Sequence, residues 1–151
     1  MLGYAILGGV ISIIFALLLF LNIKRQSRGN EKMIEISEAI HEGAMAFLKR
    51  EYKVLLIFVI VVGAILLIFV DYKTAISFVS GAFCSGLAGF FGMKTATRSN
   101  SRTAEAARKD IKKALRIAFS SGAVMGLTVV GLGLIGISVL YAIFKDPTPI
   151  F

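Results

Sequence analysis

Charged and apolar residues are strongly segregated along this chain. Residues 2–23 (LGYAILGGVISIIFALLLFLNI), 54–70 (VLLIFVIVVGAILLIFV), 74–93 and 117–144 contain no Asp, Glu, Lys, Arg or His. A bilayer core of about 30 Å is crossed by about 20 apolar residues in a helix, so each stretch predicts a transmembrane span. The second, at 17 residues, is at the short end of that range. The polar stretches between them, 24–53, 71–73 and 94–116, read as two long connectors separated by one tight turn.

Within the first connector, Arg28-Gly29-Asn30 is the break, and Asn30 is placed to cap a helix whose first residue is Glu31. From Glu31 to Tyr52 the pattern is amphipathic. Ile36, Ile40, Gly43, Ala44 and Phe47 fall on one face, and Glu31, Glu35, Glu38 and Glu42 on the other. This helix is expected to run unbroken into the second span. Asp71-Tyr72-Lys73 is the tight turn, 94–113 reads as the second connector, and its Thr103–Lys113 part is expected to extend the fourth helix. A short tail follows from Lys145 to Phe151.

Two ridges of small residues stand out. Ser77, Gly81, Ser85 and Gly89 are four apart in the third span, and Ala118, Gly122 and Gly126 are four apart in the fourth. Lipid gives helices no hydrophobic reason to associate, so smooth faces that admit a close backbone are the usual packing surfaces. These seven residues are the helix-packing candidates, either against each other or against further helices.

Composition sharpens the class. The chain is 57% hydrophobic and 17% charged, with a mean hydropathy of +0.83. A soluble domain would be nearer a quarter charged. The fold class expected is an all-α integral membrane protein with four transmembrane helices. The net charge of +8 does not indicate nucleic acid, because of the seventeen basic residues seven lie in 24–53 and eight in 94–116. Basic residues gathered in the connectors of one side mark the cytoplasmic face, which puts both termini outside. The 94–116 stretch could also touch anionic lipid headgroups or a phosphate-bearing substrate.

Candidate chemistry is sparse. The only aspartates are Asp71, Asp110 and Asp146, none of them in a span, so no span carries the ionisable group that an ion pathway normally needs. The Glu31–Glu42 stripe is strung along one helix, as a solvated face is. His41 has no second ligand nearby in sequence, and Cys84 sits among small residues as a packing residue. No phosphate loop of the Walker type occurs. The residues therefore nominate no catalytic, cofactor-binding or metal-binding residue.

Three segments carry more. EISEAI at 35–40 followed by EGAMAFLKREYK at 42–53, GMKTATRSNSRTAEAA at 92–107, and SSGAVMGLTVVGLGLIG at 120–136 resemble, in order and spacing, the N-terminal part of membrane-bound ion-pumping pyrophosphatases. The resemblance covers essentially the whole chain. It implies the outer-ring N-terminal helices of a homodimeric pump of roughly sixteen helices per chain. Such a pump hydrolyses magnesium diphosphate on the cytoplasmic side and moves protons or sodium ions outward. It also implies a magnesium cofactor, whose aspartate ligands in that family follow the fourth span and do not occur here. The segment alone is accordingly expected to be inactive, a piece of a longer protein. Its expected partners are the bilayer and the remainder of the pump or a full-length relative, and no nucleic acid. An alternative is a stand-alone, non-catalytic four-helix scaffold that binds such a pump.

Overall fold

The computed structural model describes residues 2–146, and the end of the tail, 147–151, lies outside the described residues. Four helices follow one another: α1 (Leu2–Lys24), α2 (Glu31–Phe69), α3 (Tyr72–Ala107) and α4 (Ile111–Phe144). Each is long and apolar enough to cross a membrane, and no strand occurs among the described residues.

The helix boundaries have local causes. Gly29 takes a left-handed φ of +85° at the turn after α1, a conformation open to glycine at little cost. Asn30 Oδ1 then accepts the Met33 N–H at 2.9 Å, the cap expected from the sequence. Asp71 accepts the Thr74 N–H at 2.7 Å and starts α3. The Thr74 hydroxyl and N–H hold the Asp71 carboxyl below the usual carboxylate range. Asp110 accepts the Lys112 N–H at 2.8 Å and starts α4.

One expectation is corrected here. The polar stretch from Lys94 continues α3 without a break as far as Ala107, so Thr103–Ala107 belongs to α3 rather than to α4. The break is only Arg108–Asp110. Its Thr- and Ser-rich sequence stays helical because the hydroxyls bond back to their own helix: Thr95 to Phe91 O at 2.8 Å, Thr97 to Met93 O at 2.9 Å and Ser99 to Thr95 O at 2.7 Å. The apolar face of the amphipathic part of α2 is not the face that packs on α3. Ile36, Ile40 and Phe47 are exposed, at 51%, 45% and 57%. The face that packs on α3 carries Ser37, His41, Leu48 and Tyr52 instead, because the facing half of α3 is polar and small.

Spatially the order is α1, α4, α3, α2. Helix α4 lies between α1 and α3, α2 packs on the far side of α3, and α1 meets α3 only briefly. The result is an open arc rather than a closed bundle. Its core is made of small and medium side chains, Ala16 and Ile23 of α1, Ala106 of α3, and Ala114, Ile117 and Val124 of α4. Helices α2, α3 and α4 have 39, 36 and 34 residues against 23 for α1. At 1.5 Å per residue the three long ones run about 50–58 Å, well past the roughly 30 Å of a hydrocarbon core.

Candidate functional site

The residues that do most to hold the arc together are glycines at its two crossings. Where α1 crosses α4, Gly9 and Gly131 face one another. A Cβ on Gly131 would lie 2.7 Å from Ile13 Cδ1 and 2.9 Å from the Gly9 carbonyl oxygen, and a Cβ on Gly9 would lie 2.7 Å from Ile135 and 2.9 Å from the Gly131 carbonyl oxygen. Neither has room for a methyl group, so the backbones meet directly. Where α3 crosses α4, Gly92 receives Met125, whose side chain would lie 2.8 Å from an added Cβ. Gly136 lies beside Cys84, a free thiol, with Sγ 3.5 Å from where its Cβ would be.

The predicted ridges sit elsewhere. Ser77 is buried and Gly89 half-buried, whereas Gly81, Ser85, Ala118, Gly122 and Gly126 are exposed. Cβ atoms added to Gly81, Gly122 or Gly126 would meet nothing within 4 Å. The two ridges therefore do not pack on each other within this chain. Ser77, Gly81, Ser85 and Gly89 instead line a groove of about 640 Å³ between α3 and α4, opposite Val129, Gly133 and Gly136. Ser77 Oγ is buried there without a hydrogen-bond partner. Gly89 has a partner of its own: the Tyr52 hydroxyl lies 3.4 Å from where its Cβ would be and donates to the Gly86 carbonyl. Burial pushes the Tyr52 phenol above its ordinary pKa, partly opposed by the Phe90 backbone.

Further along, the α2–α3 seam becomes polar. His41 Nδ1 is 2.7 Å from Thr97 Oγ1, and the Thr97 hydroxyl donates to Met93 O at 2.9 Å. With its hydroxyl proton so used, Thr97 accepts, and the Nδ1–H tautomer of His41 donates. Ser37 adds a bond to the Thr97 carbonyl at 3.4 Å. This makes His41 a structural link between two helices. Glu105, nearly buried, accepts from Arg108 and Lys109 at 3.3 Å each and ties off the end of α3.

Sequence reasoning missed Gly9, Gly92 and Gly131, although a glycine pair in an otherwise bulky first span was a usable signal. It also missed Arg102, which is buried to 9% exposure at the end of α3. Among the described residues no three His, Cys, Asp or Glu side chains converge on a point where a metal could sit.

Comparison with known proteins assigns what the geometry leaves unnamed. A family profile described as inorganic H+ pyrophosphatase matches residues 10–150. The chain belongs to the inorganic H+ pyrophosphatase family. A protein of Clostridium tetani assigned as a K(+)-stimulated pyrophosphate-energized sodium pump is 57% identical over 141 residues, which is 93% of this chain and 21% of that protein. A K(+)-insensitive pyrophosphate-energized proton pump of Methanosarcina mazei is 42% identical over 142 residues, again 93% of this chain and 21% of the relative. A K(+)-stimulated pyrophosphate-energized sodium pump of Thermotoga maritima is 45% identical over 132 residues, 86% of this chain and 18% of the relative. The chain spans about a fifth of the length of the pyrophosphatases it matches. As a pyrophosphatase segment it is the four-helix membrane arc described above, and its close glycine crossings are the framework of that arc.

Proposed function

We propose that this chain is a non-catalytic, outer-ring part of a membrane pyrophosphatase that couples diphosphate hydrolysis to outward transport of sodium ions or protons. The observation that carries the reading is the family match over residues 10–150 in a chain whose apolar stretches hold no Asp, Glu, Lys, Arg or His. A pathway for ions through lipid needs such groups, so the path and the magnesium-dependent chemistry belong to the rest of the pump. Supporting the scaffold role, Gly81, Ser85, Ala118, Gly122 and Gly126 present small residues with free space in front of them. These faces are where helices of the remainder pack.

In this reading the basic stretches 24–53 and 94–116 lie in the cytoplasm and both termini outside, by the excess of Lys and Arg. The polar ends of α2, α3 and α4, where α2 and α4 begin and α3 finishes, then lie on the cytoplasmic side. The partners are the bilayer, the rest of the pump and, through it, a second protomer.

A chimera tests the proposal. The matching 132 residues of the Thermotoga maritima pump are replaced by the corresponding part of this chain. Magnesium-dependent diphosphate hydrolysis and sodium uptake are then measured in inverted membrane vesicles. Both are expected to persist within severalfold of the parent. A chimera that inserts and folds but neither hydrolyses nor transports sinks the assignment. Hydrolysis by the 151-residue chain alone would overturn the non-catalytic role.

A further inference from the structure

At the end where α1 finishes, α1, α2 and α3 enclose a cavity of about 300 Å³ that the pump reading does not use. Lys24 comes from the end of α1, Arg28 from the turn after it, His41 from α2, and Arg98 and Arg102 from α3. Phe20 and Ile23 form its apolar wall. Four cations therefore line one concavity, against a single carboxylate, Glu38, which is already paired to Arg28 at 2.9 Å.

Arg102 is the key to what this cavity is for. It is more than nine-tenths buried. One guanidinium nitrogen donates to the Arg98 carbonyl and another reaches the Lys24 carbonyl at 3.4 Å, so the side chain closes the C-terminal end of α1. That structural task does not engage Nε, which is buried with no hydrogen-bond partner. Nor does it explain why Arg28 and Arg98 stand close enough to repel Arg102. Burial first, and then these two neighbouring charges, pull its pKa below the ordinary value for arginine. Like charges held together around one concavity are unfavourable, and an anion with several acceptor oxygens relieves them.

We infer that the cavity formed by Lys24, Arg28, Arg98 and Arg102 is a binding site for a phosphate group. Its volume, about ten waters' worth, accommodates a phosphate with part of its hydration shell. Tetrahedral oxygens can accept from the exposed Arg98 and Lys24 together, beside the charges of Arg28 and Arg102. The apolar wall of Phe20 and Ile23 and the position of Lys24 directly after a membrane span suit the phosphodiester of an anionic lipid. The same donors suit free inorganic phosphate. The site depends on neither the direction of insertion nor the pump assignment.

The test uses the whole chain, purified in detergent and also reconstituted in nanodiscs. One arm titrates inorganic phosphate at constant ionic strength and follows the unfolding temperature. The other compares retention of phosphatidylglycerol and phosphatidylcholine by native mass spectrometry. Arg98→Gln and Lys24→Gln are the decisive variants, because both side chains sit at the exposed mouth and their loss leaves the helices intact. Arg102→Gln is run beside them with circular dichroism as a folding check. Each decisive variant is expected to weaken binding about tenfold, the loss of one charge-assisted hydrogen bond. Lys112→Gln, in the other basic patch, is expected to change it less than twofold. A phosphate-dependent rise in unfolding temperature that Arg98→Gln abolishes assigns the site to free phosphate. Selective retention of one phosphatidylglycerol that Arg98→Gln abolishes assigns it to lipid. If folded Arg98→Gln and Lys24→Gln behave as wild type in both arms, or Lys112→Gln loses as much as they do, the site does not exist.

Discussion

Gly131 and Gly126 stand little more than one turn apart on α4, yet their surroundings are opposite. At Gly131 an added methyl group would press on Ile13 and on the backbone of α1, whereas at Gly126 it would meet nothing within 4 Å. The same contrast holds on α3 between Gly92, filled by Met125, and Gly81, which is open. Small residues therefore do two different jobs in this arc. Those at the α1–α4 and α3–α4 crossings set the distances between helices that are present. Gly81, Gly122 and Gly126 on the ridges have open space in front of them. A glycine's worth in a membrane helix depends on the neighbour it admits, not on its spacing from other small residues.

Substitutions can break this contrast directly. The largest effect is expected for Gly131→Leu, which drives a branched side chain into the Gly9 backbone. It should destabilise the chain by about 3 kcal/mol and lower folded yield, read by thermal unfolding in detergent. Gly92→Ala is expected to cost less, about 1 kcal/mol, because its neighbour Met125 is a flexible side chain that can move aside and alanine favours the helix. Tyr52→Phe removes the bond to Gly86 and should cost about 0.5–1.5 kcal/mol at neutral pH. It also carries a pH signature. The folded-state pKa of Tyr52 is raised, so its contribution is fully present below the unfolded value near 10 and is lost as pH rises through the folded value. Wild-type unfolding midpoints should fall in that alkaline window more than those of Tyr52→Phe, and equal slopes would refute the burial of the phenol. The smallest effect is expected for Gly126→Leu and Gly81→Leu in this chain alone, within about 0.5 kcal/mol. In a complete pump the same two changes should lower folded yield. Loss of stability already in the isolated chain would show that the ridges are occupied from within.

Much of this arrangement is legible from residue order. The four spans, the unbroken run of α2 and the Asn30 cap all follow from local patterning, and local patterning is what a single sequence displays. The failures have a common physical origin in neighbours. The helix formers of Thr103–Lys113 do not show which helix they continue, and Thr95, Thr97 and Ser99, by spending their hydroxyls on their own helix, carry α3 through to Ala107. The Ile36 and Ile40 side of α2 is apolar, yet it is not the side that packs on α3. Here the partner surface is Thr97, which selects Ser37 and His41 instead. The ridges were visible as smooth faces, but periodicity cannot say whether a smooth face is covered. The basic cavity was out of reach, since its cations come from positions between 24 and 102 on two helices and a turn.

The length of α2 has a mechanical meaning. It is one uninterrupted helix from Glu31 to Phe69, without proline, and so it lacks the commonest cause of a sharp kink. A rod about 58 Å long that pivots by about 5° near one end carries the other end about 5 Å sideways. Small adjustments at the short α2–α3 turn would therefore emerge, magnified, at the far tip beside Arg28 and Glu38.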